Sequence, residues 1–255
     1  MASPRASSGP GRWVVPLHPA PESGLRLFCL PSAGGGISAY RAWVEHLAAG
    51  PAEIGLAGLQ LPGREERWRE PRFRRATELV RALAGVIEPE LGRPYALFGH
   101  SMGALLAYEL TRELRRRGLP APRHLFVSGR RAPHLPDRGE CLHRMGDAEL
   151  RAELESMNGT PPSLLANEEF MQLVLPLFRE DMEVCETHVY APEEPLDVPI
   201  SAFGGRADPL VDEAELRGWE AHTSGAFRLR TYPGDHWYLV AEREPLLAAI
   251  AADLG

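Results

Sequence analysis

Residues 97–110 read LFGHSMGALLAYEL, and few folds admit such a stretch. An apolar run ends at Phe98, a serine follows between Gly99 and Gly103, and helix-period residues begin at once. This is Gly-x-Ser-x-Gly at a strand-to-helix junction. There the serine is held in a strained backbone conformation, with its hydroxyl exposed above a sheet. Glycines on either side let strand and helix pass closely. The following helix aims its first N–H groups and the positive end of its dipole at the site, which favours a developing oxyanion. Ser101 is therefore a candidate nucleophile; the competing reading is a tight structural turn.

The alternation that this junction implies runs through most of the chain. Apolar runs expected as strands are LRLFCL (25–30), IGLAGLQL (54–61), YALFG (95–99), HLFVSG (124–129), ISAFGG (200–205) and FRLRTYPG (227–234). Helices are expected at 39–48, 76–91, 104–118 and 245–254. Strand–helix alternation predicts an α/β fold with a mostly parallel sheet. It breaks between about residues 137 and 197, where helix-like pieces flank Gly159-Thr160-Pro161-Pro162, as in a helical lid inserted into the domain. Residues 1–12, rich in Ser, Gly, Pro and Ala, read as a disordered tail, and 13–255 as one domain.

Composition excludes several functions. A formal net charge of −7 argues against nucleic acid as a partner. All 28 basic residues are arginine, so Schiff-base catalysis through a lysine is ruled out. Cys29, Cys141 and Cys185 form no CxxC pair, which points to reduced, buried thiols rather than a disulfide framework or a zinc site. The N-terminus lacks the apolar core of a signal peptide, and no apolar run approaches the roughly 20 residues that span a bilayer. The expectation is a cytoplasmic, monomeric protein that needs no membrane, metal or cofactor.

A serine hydroxyl needs a base. In a hydrolase of this topology the order is Ser, then Asp or Glu, then His, on loops after later strands. Of the histidines after Ser101, His236 directly follows a late predicted strand, in YPGDHWYL, and is the candidate base. Asp208 follows ISAFGG in a turn closed by Pro209 and is the candidate acid that orients it. Asp212 is expected in the next helix, and Asp235 is too close in sequence to His236. His100, beside the nucleophile, is expected to pack in the turn. An oxyanion hole needs two backbone N–H groups: Met102 is expected to supply one, and the loop PSAGGG (31–36) the other, through Ala33 or, failing that, Gly34.

Taken with LPSAGGG, LPGREER (61–67), FGHSMGA (98–104), SGRRAP (128–133), LPLFREDMEVCETHVY (175–190), GGRADPLV (204–211) and PGDHWYL (233–239), these residues carry a family resemblance from Trp13 onward. The chain resembles the stand-alone type II thioesterases of polyketide and nonribosomal peptide synthesis. That resemblance implies an α/β-hydrolase fold with a helical lid. It also implies hydrolysis of acyl thioesters on the phosphopantetheine arm of acyl or peptidyl carrier protein domains, which clears aberrant or stalled chains in antibiotic biosynthesis. Two positions depart from the family pattern: Trp237 stands where phenylalanine is usual, and Glu180 stands where the lid motif usually has alanine. Met157, Leu164, Leu165, Phe170 and Leu175 are candidates to line an acyl channel or to pack the lid onto the body. Arg64 and Arg67 either meet an acidic carrier or pair locally with Glu65 and Glu66. A small-molecule carboxylesterase and a non-catalytic binding protein are the rival readings; the intact Ser101–Asp208–His236 set speaks against the second.

Overall fold

Strands β2 (Leu25–Leu30), β3 (Ile54–Leu59), β4 (Tyr95–His100), β5 (Leu125–Ser128) and β6 (Ile200–Gly205) are mostly apolar because both of their faces are covered. Their period of two divides the core. Phe28, Leu30, Leu59 and Leu97 point to one face of the sheet. Leu27, Cys29, Leu56 and Phe98 point to the other. With β1 (Val14–His18) and β7 (Phe227–Tyr232) the order is β1-β3-β2-β4-β5-β6-β7, all parallel except β1, which pairs antiparallel with β3. This is the α/β-hydrolase architecture that the sequence predicts. The computed structural model describes residues 12–19, 24–49, 54–136 and 141–255. Most of the 1–12 tail, and the expected start of the lid at 137–140, lie outside the described residues.

Helices α2 (Ala76–Ile87) and α3 (Met102–Arg116) cover the first face, with Leu79 and Leu83 against the sheet alongside Leu106, Leu110 and Leu114. The second face is covered by α1 (Val44–Ala49) and the C-terminal helix Arg243–Leu254, through Leu47, Leu246, Leu247 and Ile250. Segment 39–48, expected as one α-helix, is a 3₁₀-helix over Ile37–Trp43 followed by α1. The tighter turn sets Tyr40 and Trp43 on one side. Both are buried there against Phe98, and the Tyr40 hydroxyl donates to Leu30 O at 2.6 Å. β1 is a strand that hydrophobic patterning misses: it is short, half-buried and interrupted by Pro16, as an edge position permits.

Between β5 and β6 the chain forms α4 (Asp147–Ser156), α5 (Pro162–Leu165) and α6 (Glu168–Glu186). These helices bury their own small cluster of Leu150, Leu154, Met171, Leu175 and Phe178. After β6 come the short helices α7 (Glu213–Arg217) and α8 (Tyr238–Ala241), and then α9, the C-terminal helix named above. No helix among the described residues is long and apolar enough to cross a membrane.

Candidate active site

The chain leaves β2 to form β3 on one side and returns to form β4 on the other. The strand order therefore reverses between β2 and β4, and a crevice opens beyond their C-terminal ends, where ligands bind in sheets of this kind. The loop 31–36 and Ser101 flank that crevice. Ser101 has φ 55° and ψ −114°, a left-handed conformation that costs roughly 1–3 kcal/mol and persists where surrounding structure enforces it. Its own N–H donates to Ser128 O at 2.8 Å, which ties the turn to β5. A Cβ at Gly99 would strike the backbone of Gly103 and Ala104, and one at Gly103 the carbonyls of Leu30 and Pro31. Both glycines are thus explained by close approach, and the strain falls on the serine.

Asp208 sits in the turn after β6, with its carboxylate fully buried. Oδ1 accepts the Leu210 N–H at 2.8 Å, and Oδ2 accepts Nδ1–H of His236 at 2.8 Å. This bond fixes the His236 tautomer and leaves Nε2 as the basic nitrogen. Asp235 is engaged elsewhere, its Oδ1 accepting the Trp237 N–H at 2.9 Å. Asp212 caps α7 through the Glu215 N–H. Ser101, His236, Ala33 and Pro209 line one cavity of about 400 Å³ beneath α6. Four of the five candidate residues thus stand at or beside one space. The fifth, Met102, opens α3 directly after Ser101, where its N–H lies in the first turn and has no intrahelical partner.

Within the glycine-rich loop, Gly34 N–H donates to Asp181 Oδ2 at 2.8 Å and Gly35 N–H to Ser32 O at 3.0 Å. Gly34 N–H is therefore engaged by the lid, which leaves Ala33 as the candidate donor. Asp181, on α6, is held by Arg64, which reaches it through both guanidinium ends. The expected pairing of Arg64 and Arg67 with Glu65 and Glu66 does not describe these arginines. Arg64 is buried against the lid, and Arg67 binds Glu70 and stacks on Trp13. Glu65 instead accepts the Ser38 N–H at 2.9 Å. Glu180 pairs with Arg72 and Arg74. The signal for the Arg64–Asp181 pair was present in sequence as two motifs, but nothing there joins positions 117 residues apart.

A second buried network lies beside His236. His100 Nδ1 is 2.9 Å from Ser128 Oγ, which is 2.6 Å from the Tyr238 hydroxyl. The His100 ring packs 4.7 Å from that of His236. Burial, reinforced by His236, pushes the His100 imidazole well below its usual range and keeps it neutral. Ser128 and Tyr238 escaped notice in the sequence because they read as ordinary core residues.

Of the five apolar candidates for an acyl channel, Met157 lines the cavity. Leu175 is buried in the lid's own cluster, Leu165 and Phe170 pack against it, and Leu164 is exposed. The apolar wall is instead Leu142, Phe178, Met182, Val211 and Trp237. Cys29 and Cys185 are buried, but Cys141 is exposed, against the expectation of three buried thiols. Cys141, His143 and Glu186 bring metal-ligand atoms within 4.8 Å of one another at the cavity rim. The Glu186 carboxylate there already accepts the N–H groups of Leu142 and His143, which accounts for the grouping as the anchoring of a chain turn.

The family model for the thioesterase domain matches residues 25–254. Among characterised relatives, linear gramicidin dehydrogenase LgrE of Brevibacillus parabrevis is 43% identical over 248 residues, covering 96% of this chain and 93% of that one. Thioesterase PikA5 of Streptomyces venezuelae is 40% identical over 232 residues, covering 90% of this chain and 80% of that one. Among solved structures, the type II thioesterase BorB from the borrelidin biosynthetic cluster superposes with a TM-score of 0.87 at 36% identity, over 98% of this chain and 100% of that one.

Proposed function

The chain belongs to the thioesterase-domain family, and from that premise we propose that it hydrolyses acyl groups from the phosphopantetheine arm of carrier protein domains in a polyketide or nonribosomal peptide synthase. In this role it removes aberrant or stalled chains. The observation that carries the reading is the His236–Asp208 hydrogen bond at 2.8 Å, with His236 and Ser101 on one apolar-walled cavity. Relatives and solved neighbours of similar length include the thioesterase PikA5 and BorB, a type II thioesterase from a biosynthetic cluster. Free, buried Cys29 and Cys185 suit the reducing cytoplasm.

The chemistry follows from the residues. His236 Nε2 takes the Ser101 proton as Oγ attacks the thioester carbonyl carbon. The carbonyl oxygen gains the negative charge and is held by the N–H groups of Met102 and Ala33. Collapse of the tetrahedral species breaks the C–S bond, and His236 returns the proton to the departing pantetheine sulfur. A water then gives its proton to His236 and attacks the acyl-serine. The free acid leaves, and Ser101 is restored. Asp208 holds the imidazole in one tautomer and offsets its positive charge throughout.

The dehydrogenase activity in the name of LgrE belongs to that protein. Here the glycine-rich loop is a poor cradle for a dinucleotide pyrophosphate. Its Gly34 and Gly35 amides are engaged, and the Asp181 carboxylate stands at the loop. The discriminating experiment is hydrolysis of acyl-carrier protein and acyl-pantetheine thioesters against simple oxygen esters. Thioester turnover that falls at least about a thousandfold in Ser101→Ala supports the proposal. Turnover of oxygen esters with no activity on carrier-bound acyl groups overturns it in favour of a carboxylesterase.

A further inference from the structure

The loop that carries His236 is hydrogen-bonded to the lid through Trp237. Trp237 Nε1–H donates to the carbonyl of Met157, at the end of α4, at 2.7 Å. The Trp237 backbone N–H is fixed by Asp235, and the indole lies edge-on to the His236 ring with centroids 5.5 Å apart. It also lies 5.3 Å from the His100 ring. One indole therefore contacts the proposed base and the lid backbone at once. Trp237 and Met157 both form part of the cavity wall shared with Ser101.

The lid has a matching seat. A Cβ on Gly159 would overlap Cε2, Cζ2 and Nε1 of the Trp237 indole, at distances that real Cβ atoms do not show. Backbone conformation does not account for this glycine: the left-handed step of the turn is made by Asn158, with φ 55°, and Gly159 is not among the positive-φ glycines. What residue 159 lacks is side-chain volume, and the indole fills that volume. The overlapping atoms lie along the Nε1–Cε2–Cζ2 edge of the indole; a phenyl ring at 237 has no counterpart of Cζ2 and no N–H, so it relieves the overlap and removes the hydrogen-bond donor together.

We propose that Trp237 is the positioning residue that locks the lid turn 157–159 to the loop of the base, and that this lock sets which acyl groups the cavity admits. The specificity half rests on reading the cavity as an acyl-thioester site. With the lock closed, the wall between Met157 and Trp237 is continuous, and a long acyl chain meets it. With the lock open, the tie between the turn after α4 and the loop of the base is lost, so the wall yields to longer chains. The tie also couples lid position to the ring that packs on His236.

The test uses the full chain and three variants: Trp237→Phe, Gly159→Ala and the double variant. Melting temperature reads the lock without any substrate. Gly159→Ala should lower it by about 2–4 °C in the parent, from steric pressure on the indole, and by less than half as much in the Trp237→Phe background. Hydrolysis of acetyl- and octanoyl-pantetheine thioesters reads specificity. In Trp237→Phe the octanoyl-to-acetyl ratio of kcat/KM should rise about three- to tenfold, mainly through a lower octanoyl KM, as expected for the loss of one neutral hydrogen bond. Equal cost of Gly159→Ala in both backgrounds overturns the lock, and an unchanged ratio overturns its role in specificity. If Trp237→Phe does not fold, Gly159→Ala alone decides by the same ratio. A parent that hydrolyses neither thioester overturns the proposed function and the specificity half with it, while the melting temperatures still judge the lock.

Discussion

Arg64 and Asp181 form a buried two-point ion pair, at 2.8 and 2.9 Å, that joins the loop after β3 to the lid helix α6. The same Asp181 oxygen that meets Arg64 Nη1 also accepts the Gly34 N–H at 2.8 Å, and Arg64 donates to Gly35 O at 3.0 Å. Lid, loop and glycine turn are thereby held as one unit beside Ala33. Charges taken out of water this completely depend on each other. Asp181→Ala should cost about 3–5 kcal/mol in urea unfolding, because it strands the guanidinium, and Arg64→Met should cost a similar amount. A loss below about 1 kcal/mol in either variant would show that the pair is not coupled as described.

The hydrogen-bond pattern separates the two aspartates near His236. Asp208→Asn should lower kcat by about three to four orders of magnitude, through loss of the tautomer and of the stabilised imidazolium, with KM little changed. Asp235 contacts the backbone of Trp237 rather than the imidazole. Asp235→Asn should therefore stay within about tenfold of the parent. Steady-state kinetics on an acyl-pantetheine substrate distinguish the two, and comparable losses would reopen the assignment of the acid.

Strain at Ser101 makes an unusual demand on stability. At φ 55° a side chain is penalised, whereas glycine is tolerated there. Ser101→Gly should abolish hydrolysis while raising stability by about 1 kcal/mol, whereas Ser101→Ala keeps the strain and gains little. Paired urea titrations give the comparison. Equal stability of the two variants would mean that the turn is not strained as its dihedral angles imply.

Two histidines away from the site set a pH dependence. His222 is buried, its Nδ1 hydrogen-bonded to the Tyr108 hydroxyl at 2.9 Å and its Nε2 2.7 Å from His134 Nδ1. Burial, then His134, lowers its pKa to about 4. Burial lowers that of His124 to about 4 as well. Both values lie below the unfolded value of about 6.5, so the unfolded chain binds protons first as pH falls. The stability these neutral imidazoles contribute is complete above about pH 6.5 and is lost as pH drops through about 4, up to about 3 kcal/mol for each. Unfolding free energies at pH 7.5, 6, 5 and 4 should decline over that window, with a shallower slope in His222→Gln. An unaltered slope in that variant would remove His222 from the account.

Local chemistry determined a large part of this protein. Strands β2 to β6 are legible because a strand covered on both faces must be mostly apolar. The serine turn is legible because a nucleophile between strand and helix needs small neighbours at Gly99 and Gly103. Asp208 and His236 were found by following the order of strands, since each stands directly after one. Other features depend on contacts that no local pattern encodes. Patterning misses β1, because an edge position tolerates Pro16 and a half-buried face. It leaves five lid residues between a channel and packing of the lid, and Met157 alone of the five lines the cavity, because periodicity tells which residues are apolar but not which of two apolar surfaces they face. Ala33 is preferred to Gly34 along the chain with no view of their amides; Asp181, arriving from α6, engages Gly34. Arg64 reads as a surface charge until Asp181 is folded against it, and Gly159 as a loop glycine until the Trp237 indole occupies its place. The physical reason is common to these cases. Propensity and periodicity act over a few residues, whereas burial of a charge, or the seat of one ring, is decided by segments that only the completed fold brings together.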